Sequence, residues 1–220
     1  MEGKVEGSGP WPAASVARRV AVSVGFIIFT FGARVSGQSV EPNSMITLRV
    51  ANYARVPDAV LAAAERTARR LLHEAGVDTR WLECPLAGAS VDPEPRRGPA
   101  DFFLTVVSKM MRERRSDQDA LGFALPCPQG RGGCLAYIFY PRIQTLAAVD
   151  DASLSDVLGH VMAHEIGHLL LGPGHSPAGI MRAEWTREDL DRAARNELSF
   201  TPQQMELLRT GVYRANHKPS

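Results

Sequence analysis

The sequence predicts an α+β protein: a mixed, twisted sheet with an antiparallel edge strand, a backing helix, a long second helix and a small helical C-terminal part. Three observations predict it. Short apolar or alternating runs recur before residue 140, the signature of strands. One apolar stripe at helical spacing runs from Val60 to Ala75. A long apolar helix follows near 153–171, and two further capped helix starts come after it. The 220 residues are 45% hydrophobic and 22% charged, which excludes a disordered or fibrous chain and leaves room for a sizeable core. Lysine plus arginine number 25 against 24 aspartate plus glutamate, so no charge excess points to nucleic acid or an anionic membrane. Three cysteines are too few for a disulfide-built scaffold.

Residues 1–37 read as an export signal. Arg18 and Arg19 precede a 13-residue uncharged run from Val20 to Gly32, and Val35-Ser36-Gly37 places small residues before Gln38 for cleavage. The run is short of the roughly 20 residues of a spanning helix, so an uncleaved membrane anchor is the secondary reading. Cleavage removes four basic and two acidic residues, leaving 21 positive against 22 negative charges on one near-neutral domain over 38–220. The protein is then secreted or extracytoplasmic, in an oxidising compartment. Cys127 and Cys134 flank a short Gly-rich loop that a disulfide can close, but three pairings among Cys84, Cys127 and Cys134 stay open.

Within 38–220 the elements follow in order. Ile46, Leu48 and Val50 alternate with polar or small residues, a strand with one buried face. Pro57-Asp58 opens the first helix, with Val60, Ala64, Thr67, Leu71 and Ala75 on its stripe and Gly76 as its C-terminal cap. Thr79–Cys84 is a second strand, before a Pro/Gly-rich loop over 85–99. Asp101–Ser108 is apolar enough to be covered on both faces. Leu121–Leu125 is a short strand stopped by Pro126, which suits a sheet edge. Ala136–Tyr140 is another buried strand. The long helix spans about Ser153–Leu171, with Ser153 as N-cap, Asp156 at its positive end and Gly172-Pro173-Gly174 ending it. Thr186 and Thr201 cap the last two helices. The boundary between the two parts, 46–172 and 173–220, falls at that glycine turn.

The chemistry sits on the long helix. Residues 164–168 read HEIGH, an H-E-x-x-H pattern. His164 and His168 are four apart, share one helix face, and can bind one zinc ion. Glu165 is rotated by about 100° from His164 and can act as general base on a water beside the ion. A catalytic zinc needs a third protein ligand. His175 is preferred, because the Gly172-Pro173-Gly174 turn can bring it back; Glu184 is the rival. His160 shares the face, but its backbone is about 12 Å from that of His168, so it packs or hydrogen-bonds beside the site. His73 reads as a surface histidine at a helix end.

HEIGHLLLGPGHS followed by Gly179-Ile180-Met181 resembles the metzincin zinc peptidases and is most similar to the matrixins among them. The specific motif covers about 154–182, and the strand order extends a weaker resemblance to 46–182. The resemblance implies one catalytic zinc held by His164, His168 and His175, Glu165 as general base, and Met181 as an apolar floor that does not ligate. It implies a zinc endopeptidase acting on peptide or protein substrates. The edge strand Leu121–Leu125 would pair with the substrate main chain, and the segment 176–185, with Trp185, would wall a side-chain pocket. The spacing departs from the usual H-E-x-x-H-x-x-G-x-x-H: Gly172 and His175 each come one residue late. Two rivals follow, a metzincin-like domain that binds peptides with little or no catalysis, and a zinc hydrolase that uses Glu184. No cysteine precedes the first strand in 38–45 to serve as an inhibitory switch. Asp117 and Asp119 are the residues for a structural calcium, although solvated carboxylates beside Arg112, Arg114 and Arg115 are the plainer reading. The sequence leaves the oligomeric state open.

Overall fold

The computed structural model describes residues 45–85, 98, 100–108, 120–125 and 134–217. The export signal, the Cys127 half of the proposed loop disulfide, the arginine loop and the Asp117/Asp119 calcium reading all lie outside the described residues. Ten elements follow in chain order: β1 (Met45–Asn52), α1 (Asp58–Glu74), β2 (Asp78–Glu83), β3 (Asp101–Val107), β4 (Gly122–Leu125), β5 (Cys134–Phe139), α2 (Tyr140–Val149), α3 (Leu154–Leu171), α4 (Arg187–Ala194) and α5 (Pro202–Asn216). The strands form one mixed sheet in the order β2-β1-β3-β5-β4. All neighbours are parallel except β4, which runs antiparallel to β5 at the edge. The α+β architecture and the antiparallel edge strand are as the sequence predicts.

Register explains which face is buried. Leu48 lies beside Phe102, Val50 beside Leu104, and Phe102 beside Cys134, so these side chains share one face. Ile46, Leu48, Leu104, Ala136 and Ile138 are fully buried there, under α1 and α3. The opposite face is polar-edged but not all exposed. Arg49 is buried and its Nε donates to Asp101 Oδ2 at 3.0 Å, an ion pair that ties β1 to β3. Burying either charge without such a partner would be strongly destabilising. The alternation of β1 places Arg49 on the outward side without revealing that it is enclosed.

Helix α1 starts directly after Pro57 and ends with Gly76 at φ +80°, the left-handed cap that glycine adopts without strain. Its buried positions are Leu61, Ala64, Ala68, Leu71 and Leu72, so the predicted stripe is rotated slightly: Val60 and Thr67 lie at its margin. The N-caps also form. Ser153 accepts from the Asp156 amide, and Thr186 and Thr201 form reciprocal capping boxes with Asp189 and Gln204. Cys134 is disulfide-bonded and Cys84 is a thiol.

One helix departs from the sequence reading. Tyr140 is the first residue of α2 rather than the last of β5, and α2 continues to Val149. Pro141 sits in the first turn, where its missing N–H costs nothing and its fixed φ suits a helix. That proline is the overlooked signal.

Helices α1 and α3 meet at Gly159. A Cβ there would lie 2.6 Å from the Ala64 carbonyl oxygen and 2.6 Å from Thr67 Cβ, so the close crossing requires glycine. Gly159→Ala is expected to cost about 2 kcal/mol net, because overpacking outweighs the gain of ~1 kcal/mol in helix propensity. Thermal unfolding should show a loss of about 4–8 °C; an unchanged or raised Tm would contradict this packing.

Candidate metal centre

Helix α3 is buried along almost its whole length, from Val157 to Leu169, with His164 alone in that span partly accessible. It carries His160, His164, Glu165 and His168. It ends where the sequence places its end, with Leu171 as its last residue and the Gly172 amide donating to the His168 carbonyl at 2.9 Å. Gly172 then takes φ +89° and Gly174 φ +124°. Two glycines with positive φ reverse the chain within four residues, and His175 returns to the helix face. The late His175 is thus brought back by the glycine turn.

His164, His168 and His175 come together: one ring nitrogen from each lies within 4.8 Å of the others. The Nε2 atoms of His164 and His168 are 3.0 Å apart. His175 is exposed, stacks near-parallel to His164 at 5.5 Å between ring centres, and meets His168 edge-on at 4.8 Å. Glu184 is exposed and does not join the group, so the rival ligand is not brought in.

Backbone carbonyls orient the two helical imidazoles. His164 Nδ1 faces the Ile180 carbonyl at 2.7 Å, and His168 Nδ1 faces the Gly172 carbonyl at 3.2 Å. A carbonyl only accepts, so each Nδ1 carries the proton and each Nε2 presents a lone pair. Two lone pairs at 3.0 Å repel unless a cation stands between them. Protonating one ring is disfavoured: burial, with the neighbouring histidine charges, pushes His164 down to about 3, and burial pushes His168 down to about 4. Burial lowers His175 as well. Three neutral imidazoles, two of them oriented by backbone carbonyls, fit zinc in ligand type and number.

Glu165 lies on the same helix but points to β4. It is buried, its Oε2 has no hydrogen-bond partner, and burial pushes its carboxyl up to about 8. Met181 is fully buried beneath the group; a Cβ at Gly167 would come within 2.5 Å of its sulfur, so Met181 packs directly on the helix between the two histidines. His160 does not join. It is buried between the Asp156 carbonyl at 2.7 Å and the Leu198 carbonyl at 3.2 Å, and burial lowers its pKa. His73 is exposed beside Asp78.

The loop after His175 is held by devices that the sequence does not announce. The Ile180 carbonyl accepts from His164 and also from Trp185 Nε1 at 3.1 Å. Trp185 stands edge-on to both His164 and His160. Gln204 uses its Oε1 in the capping box of α5, while its Nε2 donates to the Ala178 carbonyl at 2.8 Å. Gly179 sits at φ +72° with Ser199 O and Thr201 Cγ2 within 3 Å of any added Cβ. The Gly-Ile-Met turn is therefore fastened to the last helix.

No protein-family model matches the chain, and no curated relative matches it. The fold is shared with solved structures. One is an archaemetzincin from Methanopyrus kandleri, 20% identical, with a TM-score of 0.51 over 80% of this chain and 99% of the other. Another is a zinc-dependent peptidase from Methanocorpusculum labreanum, 20% identical, with a TM-score of 0.50 over 73% of this chain and 99% of the other. These likenesses establish the fold. Neither structure is described as a matrixin, so the matrixin resemblance rests on the motif alone.

The buried ionisable groups give the metal-free protein opposing pH dependences. The depressed histidines contribute stability that is present above pH ~6.5 and is lost as pH falls toward 4. The raised Glu165 contributes stability that is present below pH ~4.5 and is lost as pH rises toward 8. Glu165→Gln removes only the second dependence. In chelator, its unfolding free energy relative to wild type should climb steadily from pH 5 to pH 8, by an amount on the order of a few kcal/mol. A difference that does not vary with pH would show that the carboxyl titrates normally.

Proposed function

We propose that the protein is an exported zinc-dependent endopeptidase. The observation that carries this is the convergence of three neutral imidazoles, two of them fixed by backbone carbonyls, beside a buried carboxyl on the same helix. His164, His168 and His175 would hold the zinc. When bound, zinc supplies Lewis acidity, polarising a peptide carbonyl and acidifying the attacking water. A cation beside Glu165 favours its ionised form and so offsets the burial that keeps it protonated. Glu165 then takes a proton from the attacking water and holds it for the leaving amine.

Substrate binding follows from the edge strand. Among the described residues, β4 pairs only with β5, and Glu165 lies against its inner face. An extended peptide can add to the outer side of β4 by main-chain hydrogen bonds, a mode that does not require a chain terminus and so suits internal cleavage. Export rests on the basic, apolar and small-residue pattern of residues 18–38. The non-catalytic reading drew its support from the late His175, and that histidine stands with the other two.

Purified protein should cut a diverse peptide mixture, read by mass spectrometry, and chelator should abolish the cuts. Glu165→Gln should lower kcat by about 10²–10⁴-fold with zinc still bound. His175→Ala should lose zinc, whereas Glu184→Ala should keep it. Cleavage that survives chelator or Glu165→Gln would overturn the mechanism. Trp185→Phe, which keeps a ring but removes the indole N–H from the Ile180 carbonyl, should weaken zinc binding by about 10-fold, measured by chelator competition.

A further inference from the structure

Glycine at position 122 has a role that neither the helix motif nor the edge-strand pattern requires. Gly122 pairs with Ile138 and so faces the helices rather than solvent. A Cβ built there would lie 2.4 Å from Glu165 Oε1, 2.7 Å from its Cδ and 2.8 Å from its Cγ. No real Cβ tolerates such distances, so either the strand or the carboxylate would have to move. The strand is pinned. Arg142 Nη1 donates to the Ala120 carbonyl at 2.6 Å, and the Phe139 amide donates to the Leu121 carbonyl at 2.9 Å. The Arg142 guanidinium also lies over the Phe139 ring, which anchors α2 and the end of β5 to the same point. The backbone of α3 is enclosed and cannot retreat. The part left free to give way is the Glu165 side chain.

We propose that Gly122 is a positioning residue for the Glu165 carboxylate: its missing side chain sets where that carboxylate rests, and the Arg142 anchor holds the strand that defines the limit. The second half of this statement, that the position matters for peptide hydrolysis, rests on the peptidase reading above. The first half, the steric contact, does not.

Two measurements on the full chain separate them. The first is a thermal double-mutant cycle in chelator. Gly122→Ala should lower Tm by about 3 °C or more in the Glu165 background. In a Glu165→Ala background the same change should cost less than about a third of that, because the added methyl enters vacated space. An equal loss in both backgrounds would overturn the contact. The second is peptide kinetics with zinc bound. Gly122→Ala should lower kcat by at least about 10-fold, with KM and zinc affinity within about threefold of wild type, since a misplaced group costs rate rather than binding. An unchanged kcat, or a loss carried by KM or zinc affinity, would overturn the positioning role. If wild type cleaves no peptide, the peptidase reading and the positioning role fail together, and the thermal cycle still decides the contact.

Discussion

Helix α3 has to be enclosed before any of its polar residues can act, and most of the structure serves that enclosure. Strands β4 and β5 and helices α1, α2, α4 and α5 all pack against it. Enclosure removes water from His164, Glu165 and His168, and water is what normally stabilises their charged forms. Burial therefore favours the neutral form of the histidines and the protonated form of the carboxyl. One physical cause thus acts on the histidines and the carboxyl together. The cost is that the helix tolerates little extra volume: Gly159 meets α1, Gly167 meets Met181, and Gly122 meets the carboxyl from the sheet side.

Orientation within that enclosure comes from backbone carbonyls rather than from charged side chains. The Gly172 carbonyl is available to His168 because the glycine turn follows directly on the last helical amide bond. The Ile180 carbonyl is available to His164 because the Gly-Ile-Met turn is tied down by Ser199 and Gln204. A carbonyl has no titration of its own, so it keeps the Nδ1 proton in place over a wide pH range. Gln204 links the cap of the last helix to this turn, so the C-terminal helices contribute to the site although none of their residues faces the histidine group.

Much of this was legible in the chain. The alternation of Ile46, Leu48 and Val50, the proline after Leu125, the Ser153, Thr186 and Thr201 caps and the HEIGH spacing are local signals, and each depends on residues a few positions apart. The helix over 140–149 was missed because its first residue, Tyr140, ends an apolar strand-like run, and because Pro141 reads as a stop unless it is placed in a first turn. The alternation of β1 does not announce that Arg49 is enclosed; its burial depends on Asp101, 52 residues away. Trp185 was expected to wall a pocket. It does stand beside the site, but its indole N–H is engaged with the Ile180 carbonyl, a bond that no spacing rule encodes.

By itself the sequence determined the residue types and the local geometry: two histidines on one helix face, a carboxyl one position on, and glycines where the chain must turn. It could do so because helical periodicity, capping and glycine's freedom at positive φ act over a few residues. Tertiary structure alone decided whether the late His175 reaches the pair, which carbonyls set the tautomers, and what stands against Glu165. These depend on distances between segments far apart in the chain, from Gly122 to Glu165 and from Ala178 to Gln204. Such distances are fixed by the packing of whole elements, and close packing leaves no slack for a neighbour to be inferred from spacing.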